Sequence, residues 1–146
     1  MYRFLSLVVA VALSLPAQAG SCDRVAREIN AKLATPVNVT QFAGVLTALG
    51  GTGQLPNRYV SKQTARDAGW RPGRKLWSVP GLQGKSIGGD RFGNREHRLP
   101  AADWHEADLD YQGGKRNGKR LVYAGNGLRY VTVDHYQTFT EIPPCR

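Results

Sequence analysis

The apolar positions of this chain change period near its middle. In 23–34, DRVAREINAKLA, Val25, Ile29 and Leu33 recur every fourth residue, the spacing of one helix face, and Pro36 stops the run. In 40–49, TQFAGVLTAL, Phe42, Val45, Leu46 and Leu49 fall at i, i+3, i+4 and i+7, with Thr40 as N-cap and Gly50-Gly51 at the end. Ser61 precedes a third, short helix over 62–68, with Gly69 at its exit. Residues 71–84, RPGRKLWSVPGLQG, read as a Pro/Gly-rich loop. Beyond Lys85 the runs are short, alternating and rich in Val, Tyr, Thr and Leu, which predicts strands near 86–90, 104–110, 120–124, 128–133 and 136–141. Asn117-Gly118 and Gly125-Asn126-Gly127 carry hairpin-turn chemistry. Helices first and strands later predict an α+β fold, N-terminal helices packed on a C-terminal antiparallel sheet.

The first nineteen residues, MYRFLSLVVAVALSLPAQA, have the form of a cleaved signal peptide. Arg3 is the positive start, Leu5 to Leu15 the apolar stretch, and Ala17-Gln18-Ala19 the small-x-small cleavage site. The stretch is short for a bilayer span, so cleavage near Ala19, secretion to periplasm or medium, and no stable membrane association are expected. Residues 20–146 then read as a single domain, expected to be monomeric. The formal charge of +9 points to a polyanionic partner, which is nucleic acid, anionic lipid or an acidic protein. A membrane-surface protein would need a basic helix with a broad apolar face, which 23–34 lacks. Cys22 and Cys145 stand at opposite ends of the exported chain, and in an oxidising compartment they read as a disulfide that ties an extension at 20–36 to the C-terminus. They are too far apart in sequence, with too few histidines, for a zinc site. Asn38-Val39-Thr40 matches a glycosylation sequon and is read as chance.

Candidate chemistry lies in two segments. On a strand through WHEADLDY, 104–111, His105 and Leu109 share one face, while Glu106, Asp108 and Asp110 share the other. Carboxylates so placed repel unless cations meet them, and Arg116 and Arg120, four apart across Asn117-Gly118, can fold toward them. His135 follows in DHYQTF, 134–139. One Glu, one His and two Arg on neighbouring strands form a metal-free acid–base site for a phosphodiester, in which Glu takes a proton, His gives one and Arg holds the phosphate oxygens. No cofactor is needed. The alternative is a basic nucleic-acid-binding protein without catalysis, for which the acidic face is a solvated salt-bridge surface.

LPNRYVSK (55–62), AGW (68–70), GKSIGGDRFGNRE (84–96), LP (99–100), WHEADLDY (104–111) and DHYQTFTEI (134–142), in that order, carry a specific resemblance. The sequence resembles the barnase family of secreted, guanyl-preferring microbial ribonucleases, within the wider T1-like superfamily. The resemblance runs from about Leu55 to Ile142 and leaves 20–36 and the cysteine pair outside. It implies that Glu106 is the general base and His135 the general acid. It implies that Arg116 and Arg120, assisted by Lys62, clamp the scissile phosphate, and Asp108 is inferred to orient those arginines. The reaction implied is cleavage of single-stranded RNA 3′ of guanosine to a 2′,3′-cyclic phosphate, then hydrolysis to the 3′-phosphate. DNA, lacking the 2′-OH, would bind without being cut.

The loop Phe92 to Glu96 is, by the resemblance, the guanine site. Glu96 would accept from guanine N1–H and the exocyclic amine, backbone N–H groups around Asn94 and Arg95 would meet O6, Tyr136 would stack, and Phe92 would shape the loop. A surface salt bridge of Glu96 with Arg95 or Arg98 is the structural alternative. Gly93 stands where the barnase pattern has serine. RNA is therefore the implied substrate, and an acidic, barstar-like inhibitor protein covering Arg116 and Arg120 the implied partner.

Overall fold

The computed structural model describes residues 9–13 and 20–146. Arg3 and the expected cleavage site at Ala17-Gln18-Ala19 lie outside the described residues. The elements are α1 (Cys22–Asn30), α2 (Val39–Thr52), β1 (Tyr59–Val60), α3 (Lys62–Asp67), a 3₁₀ turn (Leu76–Ser78), β2 (Ser86–Phe92), β3 (Trp104–Asp108), β4 (Arg120–Ala124), β5 (Arg129–Thr132) and β6 (Thr140–Glu141). The fold is α+β. The sheet is mixed rather than wholly antiparallel, because β1 pairs in parallel with β2 at its edge, and the strands lie in chain order.

Local chemistry sets the boundaries. The first helix stops at Asn30 rather than near 34, because the Asn30 side chain accepts the Val37 N–H at 2.8 Å and folds the chain back. Asn38, not Thr40, caps α2 by accepting the Gln41 N–H at 2.9 Å, and so the sequon asparagine is a helix cap. Gly50-Gly51 do not end α2. The helix runs on to Thr52, and Gly53 closes it at φ 74° with its N–H on Leu49 O. Gly50 answers to packing instead, since a β-carbon there would stand 2.5 Å from the Cys145 carbonyl oxygen. The expected strand 136–141 shrinks to Thr140–Glu141, and the run before it is a turn.

Helices cover most of one face of the sheet. Phe42, Val45, Leu46 and Leu49 of α2 and Val25 and Ile29 of α1 pack on Leu109, Leu121 and Val131. The expected disulfide is present inside this core. Cys22 and Cys145 are bonded with their Cα atoms 4.9 Å apart, and they are 1% and 3% exposed. Gly20 bridges Cys145 beside it, and the Arg146 N–H reaches Gly20 O at 3.0 Å. The bond closes a separation of 123 residues, which restricts the unfolded chain by on the order of 4–5 kcal/mol in the chain-entropy picture. The opposite face carries Trp104, Val122 and Ala124, only partly covered by Phe92, Tyr130, Tyr136 and Phe139. That open face holds Glu106, Asp108 and Arg120.

Candidate active site

Strand alternation puts Glu106 and Asp108 on the open face, both buried, where they pair across β4 with Val122 and Arg120. Asp108 is a clamp. Its carboxylate accepts Arg116 Nε at 2.7 Å and Nη2 at 2.8 Å, a bidentate pair, and Arg120 Nε lies 2.9 Å from Oδ1, off the line of a hydrogen bond. The bonds to Asp108 raise the Arg116 pKa above its ordinary value. Arg120 Nη1 also donates to Asn117 O at 2.7 Å and Lys119 O at 2.8 Å. Two guanidiniums are thus fixed side by side on one buried carboxylate.

Asp110 does not join the acidic face. The strand ends at Asp108, Asp110 turns into the left-handed region at φ 56°, and its carboxylate pairs with Lys119 Nζ at 3.0 Å while accepting the Asn38 N–H. It fastens the 109–119 loop to the start of α2. Asn117 ties that loop internally, donating to Leu109 O at 2.9 Å and accepting the Lys119 N–H at 2.8 Å. Gly118 O then accepts the His135 N–H at 3.0 Å, and a β-carbon on Gly118 would stand 3.0 Å from that nitrogen. The arginine loop and the His135 turn are therefore in direct backbone contact.

His135 and Tyr136 both sit in the left-handed region, at φ 56° and 68°, a conformation non-glycine residues hold only under outside restraint. The restraint is Asp134. Its Oδ1 accepts Thr132 Oγ1–H and the N–H groups of Gln137 and Thr138, its Oδ2 accepts Thr138 Oγ1–H, and Thr132 Oγ1 accepts the Tyr136 N–H. The bonds from Thr138 above all pull the Asp134 carboxyl down to about 2. The turn exposes the His135 ring and drops the Tyr136 hydroxyl onto Glu106 Oε2, at 2.6 Å. Burial, then the bond to Glu106, pushes the Tyr136 phenol far up, so it remains a donor at neutral pH.

The 92–96 loop forms the other wall of a cleft of about 650 Å³ whose second wall is His135, Tyr136 and Phe139. Phe92 stacks on Tyr136, centroids 5.1 Å apart. Asn94, at φ 46°, turns its side chain inward, donating to Leu99 O at 2.9 Å and accepting the Leu99 N–H at 3.1 Å. It closes the loop with its side chain. Arg95 is exposed on the cleft wall. Glu96 is 73% exposed and meets Arg98 Nε at 2.9 Å, the ion pair weighed as the alternative from sequence. Arg98 also donates to the carbonyls of Tyr136 and Gln137 and so bridges the two walls. Lys62 opens α3, its N–H on Asp90 Oδ2 at 3.0 Å, and Asp90 is the sheet partner of Glu106. His105 faces away, with Nδ1 2.9 Å from Gly89 O.

Asp134, Thr132 and Asp90 position the site without having been singled out in the sequence, while Gly118 and Arg98 were read there only as a turn residue and an ion-pair partner. Of the first three, only Asp134 left a trace there, since Asp followed by Thr four residues on is turn chemistry.

A family model described as ribonuclease matches residues 43–143. The chain is 46% identical over 108 residues to proteins named Ribonuclease from Bacillus intermedius and Bacillus pumilus, covering 71% of this chain and 65% of each relative. It is 45% identical over 108 residues to a protein named Ribonuclease from Heyndrickxia coagulans, covering 71% of this chain and 97% of the relative. The chain thus matches slightly under two thirds of the two Bacillus proteins and nearly all of the third. Helix α1 and both cysteines fall outside the family match. With the resembling blocks, the fold and these matches in agreement, the chain belongs to the microbial ribonuclease family.

Proposed function

We propose that the protein is an exported, metal-independent endoribonuclease that cleaves single-stranded RNA 3′ of guanosine. The observation that carries the reading is the Tyr136 hydroxyl on Glu106, which brings the His135 turn onto the strand that bears the base. Glu106 takes the proton from the ribose 2′-OH as O2′ attacks phosphorus. The P–O5′ bond breaks, and His135 delivers a proton to the departing O5′. Arg116 and Arg120, fixed on Asp108, meet the non-bridging oxygens as charge develops there, and Lys62 adds a further cation. The 2′,3′-cyclic phosphate then takes up water with the two proton roles reversed, giving the 3′-phosphate.

Guanine is taken by the cleft between the 92–96 loop and Tyr136. Glu96 accepts from N1–H and the 2-amino group, for which Arg98 must yield its ion pair. Backbone N–H groups near Asn94 and Arg95 meet O6, and the Tyr136–Phe92 stack supports the base. Adenine offers a lone pair at N1 and no amine, so it leaves Glu96 unpaired. Short RNAs with a single G or a single A test this. Cleavage after G only, with the preference lost in Glu96→Gln, is expected, whereas equal cleavage after both bases in the wild type would refute the guanine assignment.

Two further readings belong here. The leader form of residues 1–19 supports secretion, and a signal-peptide fusion that stays in the cytosol would contradict it. The fixed pair Arg116 and Arg120 supports an acidic inhibitor protein that covers the site in the producing cell. A pull-down from that cell's cytosol is expected to recover such a protein, with recovery lost when both arginines are neutralised.

A further inference from the structure

The helix-facing side of the sheet carries a second polar cleft. The register pairs His105 with Tyr123 and Tyr123 with Arg129, a ladder across β3, β4 and β5. These residues alternate with Glu106 and Val122, so they point away from the site described above. The cleft opens where α2 ends. Leu49 and Gly53 form one side, Gly127 of the β4–β5 turn lies on another, and the space is about 620 Å³, within the range of small-ligand pockets. Gly53 and Gly127 have nothing within 4 Å of where a β-carbon would stand, so the rim is open.

Arg129 is the unusual member. It is 8% exposed, yet among the described residues no carboxylate pairs with it. Its side chain makes one hydrogen bond, Nη1 to Leu46 O at 3.4 Å. The equally buried Arg120, by contrast, has Asp108 at 2.9 Å. A guanidinium has five donors and stays charged, and burying it without a counter-charge is costly. The carbonyl end of α2 offsets part of that cost, and burial lowers the Arg129 pKa from its ordinary value. None of its donors is sealed off without a partner, so those not on Leu46 keep some access to solvent, and Arg129 lines the cleft. The Tyr123 ring also lines the cleft, beside His105 with centroids 6.0 Å apart. Asp103, the carboxylate on the rim, is 75% exposed and already faces Arg91 and His105.

We propose that this cleft is a phosphate-binding site, separate from the catalytic face, in which Arg129 donates to the oxygens of a phosphate group, free or carried on a nucleic acid. The site supplies the missing counter-charge to Arg129. It stands on different residues from the catalytic reading and does not depend on it.

The test is ¹H–¹⁵N spectroscopy of the folded protein, titrated at constant ionic strength with inorganic phosphate and, separately, with a short oligodeoxynucleotide. Saturating shifts of the 123–129 amides are expected, resolved from any shifts near His135. They should vanish in Arg129→Met and need several-fold more ligand in Arg129→Lys, which keeps the charge and loses the planar fork of donors. Shifts with both ligands, or with phosphate alone, support a site for the free ion, and shifts with the oligonucleotide alone support a backbone-phosphate site. No saturating shift at 123–129 with either ligand would overturn the proposal, as would shifts that persist in Arg129→Met. Should Arg129→Met fail to fold, the wild-type titrations and Arg129→Lys still decide.

Discussion

The Tyr136 hydroxyl lies 2.6 Å from Glu106 Oε2, and the residue before Tyr136 is His135. One hydrogen bond therefore couples the two groups assigned to proton transfer, although its partners are 30 positions apart in the chain. Tyr136→Phe keeps the ring stacked on Phe92 and removes only this bond. A hydrogen bond to a charged group is worth about 1.5–3 kcal/mol, so kcat should fall about tenfold or more with KM little changed. Steady-state kinetics on a short RNA check the split.

Asp108 holds two cations in a buried place. Replacing it as Asp108→Asn leaves Arg116 and Arg120 without their counter-charge, and breaking a buried pair from one side costs about 3–5 kcal/mol. Urea unfolding should show a loss in that range. The remaining folded protein should cut RNA far more slowly, because the phosphate clamp is no longer fixed.

Asp134 supplies a pH signature. Its carboxyl is held at about 2 in the folded protein, chiefly by Thr138, against about 3.9 in an unfolded chain. A depressed folded value contributes stability that is complete above the unfolded pKa and is lost as pH falls through the folded one. The stability gap between wild type and Asp134→Asn should thus be full at neutral pH and close between about pH 4 and about pH 2. Urea unfolding across that range measures it, and activity of the variant should fall because the left-handed His135 turn loses its restraint.

The contrast between Asp134 and Phe42 shows what the sequence made legible. Phe42, Val45, Leu46 and Leu49 repeat at helix spacing, and their burial against the sheet follows from that period alone. The catalytic candidates Glu106, His135, Arg116 and Arg120 were legible through matched blocks and strand alternation. The segment 134–139 alternates like a strand, yet Asp134 and Thr132 bond the following backbone and impose a turn. Asp110 was misplaced because alternation was carried two residues past the end of β3. The two-residue β1 is too short to leave a period. Arg98 bonding to Tyr136 O and Gly118 accepting the His135 N–H join segments distant in sequence, a juxtaposition that no local pattern contains.

The Cys22–Cys145 bond ties the start of α1 to the C-terminal segment, and both cysteines lie outside the family match. The double variant Cys22→Ser/Cys145→Ser should lose about 2–5 kcal/mol of stability. Its activity at 25 °C should persist where the protein stays folded, because neither cysteine touches the open face. Thermal melts with and without reductant, alongside RNA cleavage, separate the two effects.

The most direct test of the central claim is cleavage of a short RNA by residues 20–146 in EDTA, beside Glu106→Ala and His135→Ala, with the new 3′ ends resolved by mass. Wild type should release a 2′,3′-cyclic phosphate, and each variant should lose about two orders of magnitude or more in rate. Bound but uncut RNA in the wild type, or undiminished cleavage by both variants, would contradict the assignment of Glu106 and His135 as base and acid.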